Sequence, residues 1–328
     1  MVIESKTKTR VIGVDIDMET TTVAIVDIRG DIIARDSFRT VDYQNVSDFI
    51  ASLAERIIIL AETNGGFETI RSVGISCASA NFFTGCIENA ANMPWKGIIP
   101  LAAMLRDRLG LAVALANDAH VSGLGEHTYG SAHGMKDFIV LSLGHGGLGS
   151  CVFSGGQLHL GFHGFAGEVG HTCVEPGGRL CGCGHRGCLE EYTTAKGMAL
   201  TAHELLATSD APSVLRSAAE ITPALLAEAC EQGDEIAIEV LRISGEYLGL
   251  GLANYASLIN PEAIILTGDI RQTGHWMIDP LCKSFEEHVF HNIRNNVRLI
   301  ISILNEADRS VLGASALAWE VKEYSLFK

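Results

Sequence analysis

The feature that most constrains this chain is a glycine-rich stretch, Ala166 to Tyr192, reading AGEVGHTCVEPGGRLCGCGHRGCLEEY. His171, Cys181, Cys183 and Cys188 follow the spacing H-x9-C-x-C-x4-C. A closed Cys3His set is a structural zinc arrangement, because Zn2+ takes four such ligands in a tetrahedron. Gly177, Gly178, Gly182, Gly184 and Gly187 let a short loop wrap an ion without Cβ clashes. Glu168 and Glu190 lie among the ligands, so the loop reads as a rigid platform for a substrate rather than a plain staple. The same thiols could be free, or could form a disulfide, but Cys181 and Cys183 are too close in sequence to pair easily.

A chain of 328 residues, 47% hydrophobic and 19% charged, has room for two domains and a sizeable core. Its net charge of −15, from 24 basic and 39 acidic residues, argues against an extended nucleic-acid surface. The short basic run SKTKTR at 5–10 reads as a solvated tail. The first ten residues, MVIESKTKTR, lack the apolar core of a signal peptide, and no apolar run is long enough to span a membrane. Nine cysteines without a secretion signal fit a reducing, cytoplasmic setting and metal binding.

Apolar periodicity predicts strands at 11–17, 22–28 and 32–38, then a helix capped by Asn45 with the face Phe49, Ile50, Leu53, Ile57 and Leu60. A strand at 72–76, a loop over 77–97, a helix opened by Pro100 and a strand at 113–116 follow. The pattern then restarts with strands at 138–144 and 148–154 and a further hairpin signal at QLHLG. Helices are expected at about 193–207, 222–231, 234–258 and 276–290, with strands at 263–268 and 297–304. A last helix is expected at about 309–324. Two rounds of hairpin strands followed by helix–strand alternation imply an α/β fold of two lobes with a cleft between them.

GEVGH followed by CGCGxxGCLE resembles the signature of the ROK family of bacterial sugar kinases and sugar-responsive repressors. The resemblance extends from Gly13 to about Ala318. It implies an actin-like, hexokinase-like architecture with a ribonuclease-H-like sheet in each lobe. The expected division is a small lobe at 1–118, rejoined by the helix at about 309–328, and a large lobe at 119–308 carrying the zinc loop 171–188. The resemblance also suggests a homodimer.

Asn117-Asp118 ends a short apolar strand, where α/β sheets bind ligands. ANDAH resembles the family's catalytic segment, which makes Asp118 the expected base that takes the proton from the sugar hydroxyl. Asp118 would equally well cap a helix starting at Ala119. Asn92, in ENAANMPW, is an amide that could read adjacent hydroxyls, or an ordinary turn asparagine. The family has Pro-Asn-Leu where this chain has Ala91-Asn92-Met93. By resemblance Asn92, Asn117, Asp118, Glu168, His171 and Glu190 bind the sugar. His171 would place one ring nitrogen on zinc and donate from the other.

For the nucleotide, the glycine loop with Gly144 and Gly146, and also Gly268, Gly313 and Asp15, match family positions. Asp15 would orient Mg2+ or phosphate, and backbone N–H groups of glycine loops can cradle phosphate oxygens. A plain hairpin and ordinary helix packing explain the glycines too. Three positions depart from the pattern. His145 stands for a threonine, Asp269 for a second glycine, and Asp17-Met18-Glu19 for the Gly-Gly-Thr of the first phosphate loop. Side chains at left-handed positions there are expected to cost about 1–2 kcal/mol each, with carboxylate repulsion in addition. The reading is therefore an ATP- and Mg2+-dependent, glucose-type hexose kinase with structural zinc. The alternative is a catalytically weak ROK protein that binds sugar and regulates a protein partner. The first strand begins by residue 11, which leaves no room for the repressors' DNA-binding domain.

Overall fold

The computed structural model describes residues 8–90, 93–144 and 147–321. They divide into two compact units, one formed by residues up to Gly134 together with those from Ile303, the other by Met135–Ser302. The first unit thus runs past the expected boundary at 118, because the helix that follows Asn117 packs within it.

The first unit contains β1 (Arg10–Ile16), β2 (Thr20–Asp27), β3 (Ile32–Arg39), α1 (Val46–Thr63), β4 (Ile70–Cys77), β5 (Ala80–Asn81), β6 (Cys86–Glu88), β7 (Ile98–Ile99), α2 (Leu101–Leu109), β8 (Ala112–Ala116) and α3 (Asp118–Thr128). Its main sheet has the order β3-β2-β1-β4-β8, with β1 antiparallel to β2 and parallel to β4. The second unit contains β9 (Phe138–Gly144), β10 (Gly147–Ser154), β11 (Gln157–Leu158), α4 (Glu190–Thr193), α5 (Ala195–Thr208), α6 (Pro223–Glu231), α7 (Glu235–Ile259), β12 (Ala263–Gly268), α8 (Ile270–Thr273), α9 (His275–His288) and β13 (Arg298–Ile301). Its sheet order, β11-β10-β9-β12-β13, repeats the first with the same antiparallel and parallel senses. The duplication is one of topology. α10 (Glu306–Glu320) belongs to the first unit.

Local chemistry accounts for most boundaries. Asn45 accepts from the Ser47 N–H and starts α1, whose Phe49, Ile50, Leu53 and Ile57 are buried. Thr222 caps α6, with Pro223 in its first turn. Asp234 accepts from Ile236 and Ala237 and starts α7. The helix expected over 193–207 is broken instead: Thr194 leaves the helix and caps α5, and α4 is a separate turn. The strand expected at 297–304 is only Arg298–Ile301, and α10 starts at its Asn305 cap, earlier than expected. The loop expected over 77–97 holds β5 and β6, which pair with β7 just beyond it into a small sheet.

β1 is buried on both faces, as a central strand must be. Ile12, Val14 and Ile16 face the core that contains α1, while Val11 joins Ala24, Val26, Val311 and Ala318 beneath α10. Gly13 and Gly74 let α10 lie directly on β1 and β4. A Cβ at Gly13 would overlap the Val311 carbonyl, and one at Gly74 the Ala314 carbonyl. Ser72 Oγ also donates to the Ala318 carbonyl at 2.6 Å. Gly313 in turn meets the Val121 carbonyl, so α3 and α10 cross backbone against backbone. In the second unit α7 and α9 touch in the same way at Gly245 and Gly249. No helix among the described residues is long and apolar enough to cross a membrane.

The contact at Gly74 is backbone on backbone, so no flexible side chain can yield. Gly74→Ala should lower the unfolding free energy by about 1–3 kcal/mol, read as a drop in the urea midpoint. An unchanged midpoint would show that α10 can lift off the sheet without cost.

Candidate functional site

In the first unit the parallel strands β1, β4 and β8 end in register. Asp15 lies opposite Ser76, and Ser76 opposite Ala116. The chain then turns into α3, so Asn117 and Asp118 emerge beside Asp15. Asn117 is the cap: its Oδ1 accepts from the Ala119 N–H at 2.9 Å. The capping role weighed for Asp118 thus belongs chiefly to its neighbour, although Asp118 Oδ1 also accepts from that N–H at 2.8 Å. Asp118 occupies the first helical position, where the helix dipole favours a negative charge.

Burial pushes the Asp15 carboxyl up to about 6. Hydrogen bonds from Ser76 and Ser310 oppose that rise, while the charges of Asp17 and Asp118 add to it. Asp118 retains an exposed surface. The protein mass around it still raises its pKa, with the Ala119 N–H and His120 pulling the other way. Cys77, buried at the end of β4, is raised by burial first and then by Asp118, Asp15 and Asp17. The cluster is therefore three mutually repelling carboxylates backed by two hydroxyls. Sequence reasoning missed Ser76 and Ser310. Ser76 carried one signal, a polar residue closing the apolar run SVGIS.

The turn Asp17-Met18-Glu19 corrects an expectation. Asp17 N–H donates to the Thr20 carbonyl at 3.2 Å, closing a tight hairpin. None of the three residues has a positive φ. The steric penalty expected for side chains here does not arise, because the turn never enters the left-handed region. All three are exposed.

In the second unit Glu168 precedes a 3-10 turn, Val169–His171, and Glu190 opens α4. The ligand atoms of His171, Cys181, Cys183 and Cys188 all lie within 4.8 Å of one another. Cys181 Sγ is 3.6 Å from His171 Nδ1, and Cys183 Sγ is 3.6 Å from Cys188 Sγ. A tetrahedron with metal–sulfur bonds of about 2.3 Å has edges of about 3.8 Å, so the four residues fit a zinc ion. Nδ1 is the ring nitrogen turned to the thiols, leaving Nε2 to donate elsewhere. Arg179 ties the loop down. It donates to the Glu191 carbonyl at 2.6 Å and to the Gly197 carbonyl at 3.1 Å, and its guanidinium lies over the Tyr192 ring.

The glycines assigned to nucleotide binding divide by environment. Gly144 pairs with Gly147 at the end of the β9–β10 hairpin, and a Cβ there would meet only the Gly147 carbonyl, at 3.9 Å. Gly268 has φ +80° and sits against the Leu143 carbonyl. Asp269 has an ordinary helical backbone, φ −59°, so no glycine is needed there. Gly313 serves the α3–α10 crossing. Asn92, and Gly146 with its neighbour His145, lie outside the described residues.

The ROK family model matches residues 11–321. The chain is 31% identical over 317 residues to a glucokinase of Streptomyces coelicolor, covering 94% of this chain and 97% of that protein. It is 29% identical to a xylose repressor of Caldicellulosiruptor bescii, over 71% of this chain and 58% of the repressor. Among solved structures, a ROK family glucokinase from Streptomyces griseus in complex with glucose and AMPPNP aligns with TM-score 0.74 and 28% identity. The alignment covers 95% of this chain and 100% of that one.

The raised pKa of Asp15 makes a signed statement about stability. Its protonated form is favoured in the fold, so its contribution is fully present below the ordinary value of 3.8 and lost as pH rises through about 6. Asp15→Asn should therefore gain on the wild type across that window, by on the order of 1–3 kcal/mol. Denaturant melts at several pH values check this; parallel curves would refute it.

Proposed function

The chain belongs to the ROK family, and we propose on that premise that it is an ATP-dependent hexose kinase acting on a glucose-like sugar. The observation that carries the reading is the placement of Asp118 at the head of α3, in line with Asp15 and Ser76 at the strand ends. A carboxylate with a raised pKa is suited to accept the proton of a hydroxyl. Asp118 takes that proton as the sugar oxygen attacks the γ-phosphorus, and ADP leaves with the electrons of the broken P–O bond. Mg2+ supplies charge neutralisation to the phosphates when bound, and Asp15 would hold it.

Asn117 has its oxygen committed to capping, so its amide nitrogen is the group that donates to sugar. Glu168 and Glu190 accept from sugar hydroxyls, and His171 donates from Nε2. Asn92 completes the set by resemblance. A structural zinc would be held by His171, Cys181, Cys183 and Cys188, fixing the loop that carries Glu190. Gly144, Gly146, Gly268 and Gly313 are assigned to the nucleotide by resemblance; of these Gly144 has the open surroundings that suit it best. A cytoplasmic homodimer accords with ATP as donor and with the family resemblance.

One observation favours a second reading, a sugar-binding regulator with weak turnover: the turn that should receive phosphate carries Asp17 and Glu19. A carboxylate about 4 Å from a phosphate oxygen is opposed by about 4 kcal/mol per unit charge at an effective dielectric near 20.

Two experiments separate these readings. With ATP, Mg2+ and a panel of hexoses, the wild type should form ADP on glucose-like sugars. Asp118→Asn should abolish turnover while leaving sugar affinity within about tenfold, roughly 1.4 kcal/mol. Surviving turnover would place the base elsewhere. Second, ATP is titrated over a range of Mg2+ into the wild type and into the triple variant Asp17→Gly, Met18→Gly, Glu19→Thr. At low Mg2+ the variant should bind about tenfold tighter or better. Equal affinities would mean that the acids of this turn do not meet the phosphates.

A further inference from the structure

Cys173 is the cysteine of this loop that the four-ligand set leaves out, and it stands across from one that the set uses. The Val174 N–H donates to the Gly187 carbonyl at 2.8 Å and the Leu189 N–H to the Thr172 carbonyl at 2.9 Å. Between these two bonds Cys173 and Cys188 face each other as an antiparallel bridge. We propose that this pair is a redox switch. Under a peroxide Cys173 and Cys188 join in a disulfide, the metal set loses one of its four ligands, and the loop releases its zinc. The inference rests on the reading of His171, Cys181, Cys183 and Cys188 as a closed zinc site.

Three observations carry it. The first is register. Opposite residues of an antiparallel pair carry their side chains on the same face. Where the two share no hydrogen bond, as here, their Cα atoms lie about 4.5 Å apart. A disulfide needs Cα atoms about 4.4–6.8 Å apart, so the backbone can stay where it is. The second is access. Cys173 is exposed, whereas Cys188 is buried. A Cβ at Gly187 would stand 3.2 Å from the Cys173 sulfur, so glycine there leaves that sulfur room to turn. An oxidant meets Cys173 first, and its buried neighbour is the resolving thiol. The third is what the new bond removes. Cys188 Sγ lies 3.6 Å from Cys183 Sγ within the four-atom set, and a structural zinc site closes with four protein ligands.

The electrons and atoms balance with peroxide as the co-reactant. The Cys173 sulfur attacks one peroxide oxygen, the O–O bond breaks and water leaves with the thiol proton, so Cys173 becomes a sulfenic acid. The Cys188 thiolate then attacks the Cys173 sulfur. The S–S bond forms, the S–O bond breaks, and the departing hydroxide takes a proton from solvent. Two electrons pass from the two sulfurs to the peroxide, and zinc keeps its oxidation state. The oxidised loop no longer holds Glu190 in place, so hexose affinity falls as the metal is lost.

The test uses the whole chain, purified reduced and with its zinc, and hydrogen peroxide as the probe. A chromogenic chelator follows zinc release, and mass spectrometry of the thiol-blocked protein finds which cysteines are joined. The wild type should release its zinc and yield a Cys173–Cys188 linked peptide, and reductant with added zinc should reverse both. Cys173→Ser should bind zinc as the wild type does, yet release it about tenfold more slowly or worse under the same peroxide. Cys173→Val serves the same purpose if the serine variant folds poorly. Release at the wild-type rate from a folded variant overturns the switch and leaves the zinc site standing. So does a disulfide that joins Cys188 to Cys181 or Cys183 instead of Cys173. A reduced chain that holds no zinc overturns the zinc reading and the switch together. A chain that phosphorylates no hexose tried overturns the kinase reading alone, because neither readout needs turnover.

Discussion

The first unit depends on one contact, the lie of α10 across β1 and β4. Gly13 and Gly74 bring helix backbone onto sheet backbone, and Gly313 brings α3 against the same helix. Bare backbone surfaces leave few ways to shift, unlike side chains that can change rotamer. Through this contact residues far apart in sequence gain fixed positions. Ser310 reaches Asp15 from α10, and Asp118 is carried by α3. The candidate catalytic group is therefore placed by a helix from the other end of the chain.

The second unit reaches a similar rigidity by different means. Its loop of glycines has little apolar surface to bury, so packing alone cannot hold it. Four ligand atoms converge to metal-binding distances, and Arg179 stitches the loop to α4 and α5. The Tyr192 ring, tilted against Tyr247 with centroids 4.4 Å apart, gives that arginine a flat surface to lie on. A metal would thus complete a site already oriented by a cation–π contact and hydrogen bonds.

Much of this was legible from the residues. Asn45, Thr222 and Pro223 mark helix starts by chemistry that acts locally, and the strands β1, β4, β9 and β12 follow from unbroken apolar runs. The convergence of His171 and the three cysteines followed from their spacing. What was not legible depends on partners distant in sequence. The packing reading of Gly313 was open from the sequence, but its partner, the Val121 carbonyl of α3, was not, and Ser310 gains meaning only beside Asp15. β5, β6 and β7 are too short to carry a period. The turn at Asp17-Met18-Glu19 was misjudged for a related reason. The lost glycines suggested strain, but strain requires a positive φ, and sequence alone does not report φ.

With strain removed, electrostatics decides what that turn means. Asp15, Asp17 and Asp118 repel one another, and the rise of Asp15 to about 6 records part of that repulsion. At neutral pH Asp15 is still mostly ionised, so the repulsion persists in the folded protein. A divalent cation among these carboxylates would relieve it, and hard cations take carboxylate oxygens readily. Added acids therefore have opposite effects on the two forms of a nucleotide. Free ATP brings more negative charge to a negative turn, whereas its Mg2+ complex brings the missing counter-charge. On the proposal that this turn faces the phosphates, about 4 kcal/mol per close pair of unit charges would favour the metal complex over free ATP. A glycine turn, which offers backbone N–H groups and no charge, would accept either form.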